Sequence, residues 1–327
     1  MRLTSTCFAV LAAFTNTGQA AELRLSGPYT HDNLSIYLVH GQDRVPTKYL
    51  TLSEALEQHK VVVYETSSVN QLQVENLSKE DIYIQSGEIV KGGRQDRVLK
   101  DDIIVPTASG KVDVTAFCVE HGRWTQRGNE PVQAFAAAPN AIASPQMKRA
   151  VKQSGQQTAV WAQVAAAQDS LAKNLGGSVK SVASESSYQL TLEAPKVKMT
   201  AAGFQTDLGG LAAKNADALG YVVVVNGKVT GADVYATHEL FRKLWPKLLD
   251  SAAVEAMSAA RPGEKINPPS MADVRSAATG YGARVSEEKQ LNGRTSSVKA
   301  DLPQGLVFET RDSTTPAAPV HRSYVVK

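Results

Sequence analysis

The sequence predicts an α+β protein: an antiparallel β-rich N-terminal part with one capped helix, followed by helices packed with a β-hairpin. Between residues 22 and 124, short segments alternate apolar and polar side chains, as antiparallel strands joined by hairpins do. Residues 156–172 place apolar side chains at helical spacing. Asn226-Gly227 lies between two apolar runs, and this dipeptide is the sequence signature of a type I′ hairpin.

Local signals in the first half place a helix, a strand and a loop. Thr51 and Glu54 have the spacing of a capping box, so a short helix should follow and run to residue 58. Residues 61–64 read Val-Val-Val-Tyr, and a continuous β-branched run is typical of a strand buried on both faces. Residues 125–142 are rich in alanine, proline, glycine and asparagine without a clear period, and we expect a surface loop or linker there.

The second half of the chain contains two sequence signals for the start of a helix, followed by further predicted hairpins. Ser144 followed by Pro145 is a favourable helix start, because serine caps the first amides and proline fits the first turn. Thr237 caps a helix with a strong apolar stripe, and Pro246 should kink or restart that helix. Residues 281–327 are predicted to form hairpin strands, since turn residues separate their apolar runs.

The first 21 residues have the pattern of a secretory signal peptide. Arg2 supplies the positive charge, residues 7–14 form a short apolar run, and residues 18–21 end in small side chains, as in a cleavable signal. The run is shorter than the roughly 20 residues that a transmembrane helix needs. We therefore expect a secreted, periplasmic protein whose mature chain contains no membrane span.

We divide the mature chain into three parts. Residues 22–135 form the β-rich part with two motifs described below, residues 136–262 add helices and a hairpin to the same unit, and residues 263–327 form a C-terminal extension. One cysteine, Cys118, remains once the signal is removed. A single thiol excludes an internal disulfide and a cysteine zinc cluster, so packing must stabilise the fold.

The composition narrows the classes of partner and cofactor. The chain has 35 Lys and Arg against 32 Asp and Glu, a net charge of +3. Proteins that bind nucleic acid concentrate basic residues, so we expect no nucleic-acid partner. The sequence lacks a Walker loop and a dinucleotide fingerprint, and we predict no cofactor. Its metal-ligating side chains are scattered, so we predict no metal site. The oligomeric state is left open.

The first of two charged, glycine-bearing motifs covers residues 87–97 and reads Gly-Glu-Ile-Val-Lys-Gly-Gly-Arg-Gln-Asp-Arg. Gly92-Gly93 lets the backbone approach a ligand closely and form an anion-binding nest. In an extended segment Gln95 and Arg97 share a face and would reach one ligand together. The alternative is a hairpin turn surrounded by solvated charges. The ligand-binding candidates of this motif are Glu88, Gly92, Gly93, Gln95 and Arg97.

The second motif covers residues 118–124 and reads Cys-Val-Glu-His-Gly-Arg-Trp. Strand alternation places Cys118 on an apolar face, so we interpret it as a packed thiol rather than a nucleophile. Glu120 ends that apolar row at the rim of the core, where it acts either as a general acid/base or as a partner in a structural ion pair. We add Arg123 and Trp124 to the ligand-binding candidates, with the alternative that Trp124 caps the core.

These motifs, together with Thr51-Leu52-Ser53-Glu54-Ala55-Leu56, resemble the ARG and Rhodanese-Phosphatase-superfamily-associated protein domain, in which ARG stands for ADP-ribosylglycohydrolase. Residues 220–234 and the helix after them are similar to its C-terminal half. The resemblance extends to about residue 260 and leaves the tail uncovered. It implies an association with enzymes that process ADP-ribose-type or phosphorylated metabolites, and it assigns no reaction to the domain itself.

Our leading hypothesis is a ligand-binding domain. In it Gln95, Arg97, Glu120 and Arg123 converge on a small anionic molecule that bears phosphate or carboxylate, nucleotide-derived ligands included. One alternative is a hydrolase that uses Glu120 as its acid/base, and another is an envelope interaction module without a small-molecule site. A carboxylate beside arginines serves binding and catalysis equally, so the sequence does not decide whether the protein is an enzyme.

Overall fold

The computed structural model describes residues 23–327, without the side chains of residues 137 and 139–141. The predicted signal peptide, residues 1–21, lies outside the described residues. The described part consists of helices and mainly antiparallel sheets, which confirms the α+β class. Within it, every helix is too short or too polar to cross a lipid bilayer.

The largest sheet is antiparallel and has eight strands. In spatial order they are β1 (Arg24–His31), β2 (Leu34–His40), β12 (Ala218–Val225), β13 (Lys228–Tyr235), β17 (His321–Val326), β16 (Gly305–Asp312), β15 (Thr295–Asp301) and β14 (Arg284–Gln290). The last four belong to residues 263–327, which we expected to be an extension. Because β17 pairs with β13 in the middle of the sheet, this segment is integral to the fold.

A second sheet has six strands and closes on itself. Its strands in spatial order are β11 (Phe135–Ile142), β7 (Glu88–Gly92), β8 (Arg97–Leu99), β10 (Lys111–Cys118), β5 (Gln71–Asn76) and β4 (Val61–Glu65). A bridge between Tyr64 and Ala134 joins the two edges, and the Glu65 amide donates to the Gln133 carbonyl at 3.0 Å. The closed sheet surrounds an apolar interior that includes Leu72 and Val74.

A third, small sheet connects the other two. It consists of β3 (Leu50–Thr51), β6 (Ile82–Ile84) and β9 (Ile103–Val105), with β3 parallel to β6. The Ile104 amide donates to Thr295 Oγ1 at 2.9 Å, and Asn292 Nδ2 donates to the Ile104 carbonyl at 3.0 Å. These bonds attach β9 to the start of β15, and Asn76 Nδ2 of β5 donates to the Val105 carbonyl of β9 at 2.9 Å, so β9 contacts both larger sheets.

Helices pack on both faces of the eight-stranded sheet and also against the six-stranded sheet. They are α1 (Leu52–Glu57), α2 (Pro145–Arg149), α3 (Gln157–Asn174), α4 (Tyr188–Leu192), α5 (Pro195–Leu208), α6 (Leu211–Lys214), α7 (His238–Ser258) and α8 (Met271–Thr279), and a π-helical turn, Ala150–Ser154, follows α2. The longest, α7, buries Phe241 and Trp245 against Tyr221 of β12. Each such side chain contributes about 1.5–3 kcal/mol to folding. Helix α8 packs Val274 and Ala277 on the opposite face.

The local start and turn signals are confirmed. Thr51 forms both bonds of the capping box. Ser144 Oγ accepts from the Met147 amide at 3.3 Å, and Thr237 Oγ1 accepts from the Leu240 amide at 3.2 Å. Asn226 and Gly227 have φ values of 50° and 73°, as a type I′ turn requires. These features depend on neighbouring residues only, which is why the sequence predicts them well.

Three local predictions are wrong. In the run 61–64, Val61 and Val63 are buried but the other two are only partly so, because Val61 and Val63 point into the interior of the closed sheet and their neighbours point outward. The segment 125–142, expected to be a loop, ends in strand β11 paired with β7. Pro246 does not restart a helix, since α7 continues through it; apolar side chains on both sides of it pack into one core and outweigh a cost of about 3 kcal/mol.

Candidate functional site

Strand pairing brings the two glycine-bearing motifs together. Strand β8 is antiparallel to β10, with Arg97 opposite Cys118. Beyond the ends of these strands the Val119 amide donates to the Asp96 carbonyl at 3.0 Å. The residues that precede Arg97 therefore lie against those that follow Cys118, as the leading hypothesis required of the two motifs.

Asp96 is completely buried, and its carboxylate accepts four hydrogen bonds. Arg127 binds it through two hydrogen bonds, from Nη1 to Oδ2 at 2.9 Å and from Nη2 to Oδ1 at 2.8 Å. Ser187 Oγ and the Gly92 amide also donate to it, at 2.9 and 3.0 Å. Paired guanidinium bonds of this kind are among the strongest in proteins, so Asp96 and Arg127 fix the centre of the site.

Glu120 is also completely buried. Its Oε1 accepts from Arg123 Nε at 2.8 Å and from Arg127 Nη1 at 3.2 Å, while Oε2 accepts from the Asp96 amide at 3.1 Å. Burial by itself raises the pKa of Glu120, but the hydrogen bond from Arg123 and its charge bring that pKa below the ordinary value. An enclosed carboxylate of lowered pKa is a weak base. Of the two interpretations of Glu120, this geometry favours the structural ion pair.

Arg123 ties the second motif to the first. Besides Glu120, its guanidinium donates to the carbonyls of Gly92 at 3.3 Å, Gly93 at 3.2 Å and Thr125 at 2.7 Å. Gly93 has a φ of 56°, and a Cβ there would clash with the Phe135 ring at 2.4 Å. The glycine pair is therefore required for close packing at this point, and its carbonyls are already bonded to Arg123.

Arg97, Gln95 and Trp124 lie on the side of the cluster towards β4. Arg97 is completely buried; its Nη2 is 3.3 Å from Glu65 Oε2, and its Nη1 donates to the Gln95 carbonyl at 2.9 Å. Trp124 is 48% exposed, so it does not cap the core. Gln95, Asp96 and Arg97 are buried in succession, because they leave a turn rather than an extended segment, and the predicted alternation of faces fails.

Glu88 lies apart from the other candidates. Its Oε2 accepts from the Gln85 amide at 3.0 Å, and its Oε1 is 3.4 Å from Lys247 Nζ on α7. The side chain is 1% exposed. Of the sequence-predicted residues, the structure thus joins Gly92, Gly93, Glu120 and Arg123 directly, places Gln95, Arg97 and Trp124 beside them, and separates Glu88.

Another buried polar cluster, which the sequence analysis missed, joins the eight-stranded sheet to the small three-stranded sheet. His321 Nδ1 lies 2.7 Å from Asp102 Oδ2, and its Nε2 lies 3.1 Å from Asp233 Oδ1. Lys148 Nζ and the Tyr221 hydroxyl each donate to Asp233 Oδ2 at 3.2 Å. A histidine with a carboxylate at each ring nitrogen donates from both and is therefore protonated. The cluster links β9, β13, β17 and α2.

A groove of about 560 Å³ opens beside the Asp96–Glu120 cluster. One wall is the loop of residues 121–128, and the other is the segment 183–186. The two walls are joined by Ser186, whose hydroxyl donates to the His121 carbonyl at 2.7 Å and accepts from the His121 amide at 3.0 Å. Among the predicted site residues, Arg123 lines the groove.

Cys118 is buried, as predicted. Burial raises the pKa of its thiol to about 11. A thiol of such high pKa supplies almost no thiolate near neutral pH, and the thiolate is the reactive form. Cys118 is therefore a packing residue. Within residues 23–327, the acidic, histidine and cysteine side chains do not form a group of three that could hold a metal ion.

Several residues of the site escaped the sequence analysis. Asp96 was inside the first motif but was assigned to another face from Gln95 and Arg97. Arg127 follows Arg123 by one helical turn's spacing in a segment interpreted as linker. Glu65 and Ser187 reach the site from distant elements, and nothing in their sequence neighbourhoods indicates it.

The fold and the site define an α+β protein with a groove above a buried, neutralised ion cluster. The sequence profile of one family matches residues 22–323. The chain therefore belongs to the family of the ARG and Rhodanese-Phosphatase-superfamily-associated Protein domain. The match confirms the resemblance and corrects its extent, since it includes the tail beyond residue 260. Comparison with curated proteins and with solved structures gives no match.

Proposed function

We propose that this protein binds a small anionic molecule, bearing phosphate or carboxylate, in the groove between residues 121–128 and 183–186. The observation that carries the proposal is the row of backbone amides along the groove. Among the described residues, the amides of residues 122–129 have no hydrogen-bond acceptor. Successive free amides in a turning loop form an anion-binding concavity.

The charges around the groove support binding through the backbone. The guanidinium groups of Arg123 and Arg127 are bonded to Asp96, Glu120 and neighbouring carbonyls, so they have little capacity left for a ligand. Their role is to hold the loop in one conformation before the ligand arrives. Preorganisation of this kind reduces the entropic cost of binding.

Isothermal titration with inorganic phosphate, pyrophosphate and citrate tests the proposal. Gln126 is an exposed residue of the groove wall. Gln126→Glu adds a negative charge there, and we expect it to weaken phosphate binding by about tenfold or more, the effect of roughly 1.4 kcal/mol of repulsion. Gln304→Glu, an exposed position in the turn between β15 and β16, is the matched control and should bind like the wild type. The proposal fails if none of the three anions binds the wild type, or if Gln126→Glu binds them equally well.

We also propose that the protein acts outside the cytoplasm, in a periplasm. This rests on the signal-like pattern of residues 1–21. Intact mass spectrometry of the protein recovered from a periplasmic extract should show a chain that begins close to residue 22. Recovery of the full-length chain from the cytoplasmic fraction alone would contradict export.

A further inference from the structure

We infer that the anionic ligand of the groove also carries a planar ring that stacks on Trp124, so that its chemical class is an aromatic phosphate such as a nucleotide. This inference rests on the proposed function and adds the part of the ligand that the groove does not hold. Two observations carry it: the exposure of Trp124 beside the groove, and the buried cation that fixes its ring.

Trp124 is placed where it can meet a ligand of the groove. Its side chain is 48% exposed, whereas Trp245 in α7 is 2% exposed. Its two neighbours in the chain, Arg123 and Thr125, both line the groove. Consecutive Cα atoms are about 3.8 Å apart, so the backbone of Trp124 lies at the groove wall. Its ring is not among the side chains that line the groove and would hold the part of the ligand that extends past the rim of the groove. A large exposed aromatic side chain beside a polar groove is typical of a ligand-binding surface.

The Trp124 ring is held in a fixed orientation. The guanidinium carbon of Arg97 lies 5.8 Å from the ring centroid, and that of Arg94 lies 6.0 Å from it. Arg97 is completely buried and is itself held by Glu65, so the cation cannot swing away. A cation near an aromatic face attracts it electrostatically. The ring is therefore a preformed platform, and a second ring stacks on such a platform at low entropic cost.

A nucleoside monophosphate matches both features. Its phosphate is an anion that backbone amides bind, and a single sugar joins that phosphate to a planar base. Stacking of a base on an aromatic side chain tolerates every base, because each has a π-face. A sugar phosphate without a base would occupy the groove alone, and this difference provides the test.

The test compares adenosine monophosphate, ribose 5-phosphate and adenosine by calorimetric titration of the full-length mature protein. For the wild type we expect adenosine monophosphate to bind about tenfold more tightly than ribose 5-phosphate, which is within the range of one base–aromatic stack. Trp124→Ala should remove this preference and leave the affinity for ribose 5-phosphate unchanged. Trp124→Phe should retain most of the preference. Tyr281→Ala, which removes an 87% exposed ring from another element, is the matched control and should behave as the wild type.

Each outcome decides one point. If ribose 5-phosphate and adenosine monophosphate bind the wild type equally, the stacking inference is overturned and the proposed function stands. The inference is also overturned if Trp124→Ala still binds adenosine monophosphate more tightly than ribose 5-phosphate. The same holds if Trp124→Ala binds neither compound while its circular dichroism spectrum is unchanged, because Trp124 then does more than stack on the base. If neither phosphate compound binds the wild type, the proposed function fails as well.

Discussion

Asp96 and Glu120 are completely buried carboxylates, and each is bonded to Arg127. Such groups are stable inside a protein only as pairs, because removal of one partner leaves an uncompensated charge away from water. Glu120, which the sequence suggested as a general acid/base, is therefore a carboxylate whose charge is neutralised by Arg123 and Arg127. In the proposed function the ligand is therefore bound by the backbone amides of residues 122–129, which have no hydrogen-bond acceptor among the described residues.

Glu120→Gln tests this view at the residue scale. The substitution keeps the shape of the side chain but leaves Arg123 and Arg127 without one of their carboxylates. We expect the free energy of unfolding in urea at pH 7 to fall by about 3–5 kcal/mol. The control is Glu287→Gln on the fully exposed strand β14, which should change it by less than about 0.5 kcal/mol.

The effect of Glu120→Gln depends on pH with a definite sign. Because the folded-state pKa of Glu120 is lowered, its contribution to stability is present above the unfolded pKa of about 4.3. That contribution is lost as the pH falls through the lower folded pKa, so wild type and variant should converge in acid. A Glu120→Gln variant as stable as the wild type at pH 7 would restore the general acid/base interpretation.

At the scale of elements, the site depends on which strands pair. The sequence predicts strands near both motifs, but only the pairing of β8 with β10 places Arg97 opposite Cys118. Strand β4 also bonds to residues 133–134, and this contact places Glu65 beside Arg97. The helix caps and the Asn226-Gly227 turn were predictable, because the conformation of each depends on residues no more than four positions apart in the chain. Sheet edges were not, because an edge is defined by the absence of a neighbour that only the folded chain reveals.

The same distinction explains the candidate residues. Gly92, Gly93, Glu120 and Arg123 stand in two compact charged motifs, and the structure joins them through the hydrogen bonds of the Arg123 guanidinium; their role in ligand binding stays a prediction. Glu88 shares a motif with them but lies at the other end of β7, next to Lys247. Proximity in sequence therefore identified the region, while the direction of each side chain required the structure.

At the scale of the whole molecule, His321 connects the eight-stranded sheet to the small three-stranded sheet. Its ring bonds Asp102, just before β9, and Asp233 on β13. Burial by itself lowers the pKa of His321, but the charge of Asp102 and bonds to both carboxylates raise that pKa above the ordinary value. Burial likewise raises the pKa of Asp102, and His321 more than reverses this, holding it far below the usual range. The cluster therefore stabilises the fold in its ionised form.

His321→Asn should destabilise the protein in a pH-dependent way. The raised pKa of His321 means that its contribution is fully present below the unfolded pKa of about 6.5 and is lost as the pH rises through the folded value. We expect the variant to lose about 3–5 kcal/mol of unfolding free energy at pH 5.5, and less at alkaline pH. Urea denaturation at several pH values measures this. His59→Asn, at an exposed position, is the control. A protonated His321 would be contradicted if both variants lost the same unfolding free energy, or if the loss for His321→Asn did not change with pH.

The sequence alone determined the fold class, the helix caps, the type I′ hairpin, the buried Cys118 and the family, since these depend on local chemistry and on motifs that are continuous in the chain. The tertiary structure decided that residues 263–327 complete the central sheet, that Arg97 and Glu65 pair, and that Asp102, Asp233 and His321 meet. Each of these joins residues far apart in the chain. Their partners are selected by long-range packing and charge neutralisation, which no local pattern encodes.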